Sequence, residues 1–192
     1  MMLPCKDHPA PPVWYALQTF YQKESEVESY LRENGYSPFI PRVYQEKEVG
    51  DGKSVIKLVP AVHNLLFLPK EGDGGRLARI LADCPVAVRI LRHRDTGALY
   101  EIPDNQMVEF RLMCDPKYKD KETFYTDRSF ADERPGKPVR IKRGLFKGIE
   151  GKLVRYQDRY FVVVCLATMG VFLKISRWYC EIISGAIKTT PL

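Results

Sequence analysis

The sequence predicts an α+β unit followed by a small all-β unit, and three observations carry that prediction. Between residues 13 and 114, apolar runs of strand character alternate with stretches of helical spacing, and some of those runs are joined as hairpins. From residue 136 onward the apolar runs are short, closely spaced and separated by turn residues. The charge changes sign at the same place. Residues 136–192 hold 11 Lys/Arg against 3 Asp/Glu, a net +8, whereas residues 1–135 hold 19 against 21, a net −2.

In chain order, Val13 to Phe20 (VWYALQTF) is an apolar, aromatic strand. Lys23 to Asn34 places Val27, Tyr30 and Leu31 at helical spacing, and Gly35 follows where a helix ends. Tyr36 to Pro41 is extended, with Pro38 and Pro41 marking an edge. Val43 to Val49 and Lys53 to Val59 alternate around Gly50-Asp51-Gly52, a hairpin signature. Val62 to Leu68 is nearly all apolar and reads as a central strand. After a loop over 70–75, Arg76 to Ala82 sets Leu77, Ile80 and Leu81 on one helical face. Val86 to Leu91 and Ala98 to Ile102 flank a second hairpin turn, Arg94-Asp95-Thr96-Gly97. Asp104 then reads as the N-cap of a helix carrying Met107, Val108, Phe110 and Leu112. Together these elements predict an antiparallel sheet with its helices on one face.

Residues 115–135 are rich in Lys, Asp, Glu and Tyr and poor in aliphatics, so they read as an interdomain linker along which the two units tumble independently. Beyond it, strands are expected over Pro138–Lys142, Gly151–Tyr156, Arg159–Ala167, Val171–Ile175 and Glu181–Ile183. Gln157-Asp158 and Thr168-Met169-Gly170 supply turns. Five short strands fit a small SH3-like β-barrel. The expected organisation is a leader over 1–12, a first domain over 13–114, the linker over 115–135, the barrel over 136–184 and a tail over 185–192.

The bulk numbers exclude several classes. With 192 residues and 45% hydrophobic content, the chain supports packed cores. No apolar run approaches the roughly 18 residues of a membrane span. Met1 to Pro12 carries four prolines and no apolar segment, so it reads as a disordered leader and a cytoplasmic location is expected. Five scattered cysteines predict no disulfide framework, and the lone Cys5–His8 spacing completes no zinc site. His8, His63 and His93 fall in no hydrolase or redox motif. Gly72, Gly74 and Gly75 lack the Lys-Ser/Thr of a phosphate loop, so neither an enzyme nor a cofactor is expected. The +8 of the second unit suits RNA, DNA or an acidic protein surface, or is a solvated basic face.

Residues 136–154 (GKPVRIKRGLFKGIEGKLV) resemble the KOW motif, with Gly144, Gly148 and Gly151 set around Phe146. Trp14-Tyr15-Ala16-Leu17 resembles the start of the NusG amino-terminal (NGN) domain. Val59 to Leu68 (VPAVHNLLFL) and Ala98 to Met107 (ALYEIPDNQM) stand where that domain carries an apolar strand and a strand-to-helix step. In this order the blocks resemble the NusG family of transcription factors, and within it the UpxY-type antiterminators of capsular polysaccharide operons. The resemblance implies a non-enzymatic, monomeric factor that binds the clamp helices of the large RNA polymerase subunit and promotes read-through of pauses and terminators. A ribosome- or RNA-binding KOW protein and a housekeeping NusG are the alternatives.

The resemblance also implies sites. Tyr15, Val62, His63, Asn64, Leu65 and Phe67 match the clamp-binding region, where an exposed apolar patch with a polar rim is needed. Val62 and Leu65 stand where the family has bulky aromatics. Each apolar member is either interface or core. Tyr30, Asn34, Arg76 and Arg79 are candidates for contact with non-template DNA, joined by Arg92 and Arg94 as further sources of charge, and leader RNA is another possible ligand. Arg140, Lys142, Arg143, Phe146 and Lys147 form the expected KOW partner surface, facing a ribosomal protein or Rho. Phe146 is either a barrel plug or an exposed anchor. Gly144, Gly148 and Gly151 are read as structural.

Overall fold

Along the first unit the elements run β1 (Val13–Thr19), α1 (Glu24–Glu33), β2 (Arg42–Glu48), β3 (Ser54–Pro60), β4 (Leu65–Pro69), α2 (Gly74–Ala82), β5 (Val88–Ile90), β6 (Glu101–Pro103) and α3 (Asp104–Met113). The computed structural model describes residues 12–48, 54–72, 74–93, 95–118 and 124–184. The loop tip 49–53 and Arg94 lie outside them. Strand β1 is the axis of the sheet. Antiparallel β4 lies on one side, with Ala16 opposite Phe67, while β5 and β6 share the other side at its two ends.

Alternation along β1 and β4 divides this sheet into two faces. Tyr15, Leu17, Leu66 and Leu68 point to one face and pack with Val27 and Leu31 of α1 and Leu77 of α2. Trp14, Ala16, Leu65 and Phe67 point to the other and pack with Met107, Phe110 and Met113 of α3. The helices therefore cover both faces, not the single face expected. Strand β4 was also expected to be central, yet it ends the sheet. Its outer edge is bridged by Phe39, whose backbone exchanges hydrogen bonds of 2.7 and 2.8 Å with Phe67. Its continuous apolar run reflects two covered faces, not a central position.

Local signals explain the helix ends. Gly35 takes φ +84°, its N–H donates to the Arg32 carbonyl, and the Tyr36 N–H donates to that of Leu31. That is the six-to-one and five-to-two bond pair of a Schellman stop. Helix α3 starts at Asp104, but Asp104 is not its cap: Pro103 holds that position with no side-chain bond, and the Asp104 carboxylate accepts the Trp14 indole N–H at 2.8 Å. The predicted hairpin is present as β2 and β3, which pair only with each other.

The second unit holds β7 (Phe124–Asp127), α4 (Arg128–Asp132), β8 (Lys137–Ile141), β9 (Glu150–Tyr156), β10 (Arg159–Leu166), β11 (Met169–Lys174) and β12 (Cys180–Ile182). Its sheet is antiparallel and six-stranded, in the order β12-β8-β9-β10-β11-β7, where a five-stranded barrel was expected. The extra strand comes from residues 115–135. They are not a plain linker: β7 pairs with β11, and α4 places Phe130 and Ala131 against Phe161 and Phe172 on one face of the sheet. Gln157 and Asp158 form the expected turn, both at positive φ. The next turn falls at Ala167 and Thr168, with Met169 and Gly170 already in β11, and Ala167 adopts φ +50°.

Nor are the two units independent bodies. Leu166, Ala167, Met169 and Val171 belong to the same buried cluster as Leu65, Phe67, Phe110 and Met113. The Ala167 N–H donates to the Tyr100 hydroxyl at 3.4 Å, and the Tyr125 hydroxyl donates to the Met113 carbonyl at 3.4 Å.

Candidate functional site

The candidate clamp-binding residues are divided by the sheet. Leu65 and Phe67 are 1% and 0% exposed on the α3 face, in a cluster that also holds residues of the second unit. Phe67 packs edge-on against Phe110 at 5.4 Å between ring centroids and lies 6.3 Å from Phe39. Val62 is half-buried at the margin of the same cluster. Tyr15 sits on the opposite face, among Leu17, Val27 and Leu68, and is not brought together with Leu65. An exposed apolar patch is therefore absent from these residues in the docked arrangement.

His63 and Asn64 form the polar turn ahead of β4. Asn64 takes φ +62°, its carbonyl accepts the Thr19 N–H at 3.1 Å, and its side-chain oxygen accepts the Gln22 N–H at 2.9 Å. Its own N–H donates to the buried Glu24 carboxylate, and exposed His63 stands 3.4 Å from that carboxylate. Asn64 therefore ties β1, β4 and the start of α1 together, a positioning task that accounts for the residue without a partner.

The second candidate group is gathered in space. The Tyr30 hydroxyl donates to the Ile80 carbonyl at 3.1 Å, Arg76 donates to the Asn34 carbonyl at 3.2 Å, and Arg76 lies 5.7 Å above the Tyr36 ring. Exposed Arg79 lies on the same helix as Arg76. Arg92 belongs to a different edge, where it donates to the Gly97 carbonyl at 2.8 Å. Midway along α1, Glu28 receives bonds from Arg42 and Arg32. Burial raises the Glu28 pKa, but the two guanidinium groups outweigh burial and hold it below the ordinary carboxylate value.

In the second unit, Lys142, Arg143 and Lys147 are exposed around the glycine turn. Arg140 is tied to Glu150 at 2.6 Å and to Glu181 at 3.5 Å. Phe146 is half-buried against the large cluster, which favours its plug role over the exposed anchor. Gly144 and Gly148 take φ of +84° and +97°, and a Cβ at Gly151 would stand 2.6 Å from the Val163 carbonyl. Among the described residues, no three His, Cys, Asp or Glu side chains are gathered for a metal. Among the described residues, no helix is long and apolar enough to cross a membrane.

Sequence reading missed two features. The first is the docking surface formed by Phe110 and Met113 with Leu166, Ala167 and Met169. Its signal was the i, i+3, i+6 recurrence of Met107, Phe110 and Met113, which does not by itself tell a sheet-facing stripe from one that also meets a second unit. The second is the run Arg177-Trp178-Tyr179, a 3-10 turn whose Trp178 is 80% exposed.

A near-neutral sheet-and-helix unit and a basic unit built on one antiparallel sheet, joined in one apolar cluster, define a factor built from two interacting modules. The family model described as transcription termination factor NusG matches residues 12–111, and the chain belongs to the NusG family. Factors of this family act in transcription and bind RNA polymerase. No curated protein sequence matches the chain. A solved structure described as "Domain interaction in Thermotoga maritima NusG" is similar over 90% of this chain and 98% of that one, with 14% identity and a TM-score of 0.49.

Proposed function

We propose that this chain is a specialised NusG-family elongation factor that binds RNA polymerase and carries it through pauses and terminators, in a polysaccharide operon of the UpxY type. The observation that supports the reading is that Leu65 and Phe67 are buried in one apolar cluster to which residues of both units contribute. Helix α3 packs on their face, and the same cluster continues into Leu166, Ala167 and Met169 of the second unit. An apolar face of this kind needs cover in the free protein, and it becomes a docking surface for an apolar coiled-coil tip when the cover leaves. The clamp helices of the large polymerase subunit are the partner assigned to it. Val62 and His63 lie at its margin.

Tyr30, Asn34, Arg76 and Arg79 then form a second, polar contact with the displaced non-template strand. Lys142, Arg143 and Lys147 remain free to engage a ribosomal protein or Rho. The chain acts as a monomer and makes or breaks no covalent bond. The test is in vitro transcription on the leader of the neighbouring operon, with polymerase from the same organism. Read-through of pauses and terminators rises with added protein; unchanged read-through would sink the proposal.

A further inference from the structure

A groove of about 580 Å³ runs across the seam between the two units. Arg89, Arg92, His93 and Gln18 line it from the first unit, and Thr168 lines it from the turn between β10 and β11 of the second. That turn belongs to the docking contact. The N–H of neighbouring Ala167 donates to the Tyr100 hydroxyl, and the His93 ring centre lies 5.0 Å from that of Tyr100. Both arginines are held by neutral groups. Arg89 donates through Nε and Nη2 to Oε1 of its cross-strand neighbour Gln18, at 3.1 and 2.7 Å, and lies 5.5 Å from the Phe20 ring centre. Arg92 donates through Nη1 to the Gly97 carbonyl at 2.8 Å. No Asp or Glu lines the groove, and among the described residues Arg89, Arg92 and His93 carry no ion pair. Each guanidinium is therefore oriented in advance with its charge uncompensated. Nη1 of Arg89 and both Nε and Nη2 of Arg92 are left to donate.

We propose that this groove binds a small phosphate-bearing anion, of the size of pyrophosphate or a nucleoside diphosphate, and that the bound anion locks the two units together. Phosphate oxygens accept paired N–H donors, and guanidinium groups fixed beforehand reduce the ordering cost of binding. The volume is that of a small-ligand site, roughly 300–1,000 Å³. The lining is one strand end and one turn, too short for a polymer to track. A ligand that touches Thr168 as well as Arg89 and Arg92 finds both walls only in the docked form, so it favours that form by mass action. An occupied groove would then oppose the opening that engagement of polymerase requires. That last consequence rests on the function proposed above, whereas the binding and the locking do not.

Titration calorimetry of the full-length protein with pyrophosphate tests this, with ADP, sulfate and a short single-stranded DNA as comparison ligands. Pyrophosphate binds, and Arg89→Gln and Arg92→Gln each weaken it roughly tenfold, the scale of one lost hydrogen bond to a charged group. Both side chains are exposed, so these variants keep the circular dichroism of the parent. Thr168→Glu, on the opposite wall, abolishes binding by setting a carboxylate against the same guanidinium groups. Hydrogen exchange at the Ala167 N–H slows about tenfold with pyrophosphate at ten times its Kd, because only the docked form is bound. Weaker binding of ADP than of pyrophosphate assigns the site to a free anion, and equal or tighter binding assigns it to a nucleotide; both sustain the inference. It is overturned by undetectable pyrophosphate binding, by sulfate binding as tightly, or by the DNA binding more tightly than pyrophosphate and ADP. It is equally overturned by unchanged affinity in either arginine variant or in Thr168→Glu, or by unchanged exchange at Ala167. Polymerase is absent from every arm, so these results and the read-through result stand or fall separately.

Discussion

The two faces of β4 are equally dry, yet they are sealed in different ways. Leu66 and Leu68 are 0% exposed beneath α1 and α2, helices of the same unit. Leu65 and Phe67 are 1% and 0% exposed under α3, in a cluster that also holds Leu166, Ala167 and Met169 of the other sheet. Burial alone therefore does not separate a face that serves only as core from one that the proposed function holds in reserve. What separates them is whether the covering residues can leave without unfolding the sheet they cover.

The largest effect is expected on the permanent face. Leu66→Ala should cost about 2–5 kcal/mol, read as a lower denaturant midpoint, because neither helix can close the cavity. A loss below about 1 kcal/mol would show that this face is looser than its burial implies. The reserved face should break differently. Leu166→Asp places a carboxylate in the contact between β10 and α3, where it has no cation to pair with, and should separate the units while both sheets stay folded. Amide relaxation then changes from one tumbling time to two, and the variant drives read-through at lower concentrations than the parent. Loss of dispersed amide signals from the second sheet would contradict that picture.

A milder probe is Tyr100→Phe. It removes the hydroxyl that accepts the buried Ala167 N–H, at an expected cost of about 1–3 kcal/mol to docking, and hydrogen exchange at Ala167 should quicken. The smallest effect belongs to Glu28. Its folded pKa is depressed, so its contribution is present above the ordinary carboxylate value and is lost as pH falls through the depressed one. Glu28→Gln should therefore lose stability at neutral pH and show a flatter acid limb in thermal melts taken across that range. An unchanged limb would mean that Arg42 and Arg32 do not hold the carboxylate in solution.

Strong local signals were legible in the sequence. The alternation of β1, the Schellman glycine at Gly35, the Gln157-Asp158 turn and the five strands from β8 to β12 follow from period and turn chemistry. Elements made by tertiary contact were not. The short β7 and α4 lie in a charged stretch, and α4 is held by Phe130 and Ala131 against residues more than twenty positions away. The turn at Ala167 was drawn to Gly170 instead, because an alanine at positive φ leaves no trace in composition. At the candidate site, period 2 separates Leu65 from Leu66 but does not say which face a second unit will cover. Tyr15 was grouped with Leu65 for want of register. Its cross-strand partner is Leu68, and that pairing assigns it to the helix-covered face.

The pairing of β7 with β11 has a further consequence. Five residues, 119–123, join the turn ending at Tyr118 to the strand beginning at Phe124. If both anchors hold, that leash reaches roughly 20 Å when taut. A module released on so short a leash stays within a molecular radius of the face it left, at an effective concentration on the order of millimolar. A competitor for that face contends with a neighbour that never diffuses away. A partner gripping the module and the face at once would remove that competition, so a large assembly that engages both would hold the open form far better than either of its parts alone.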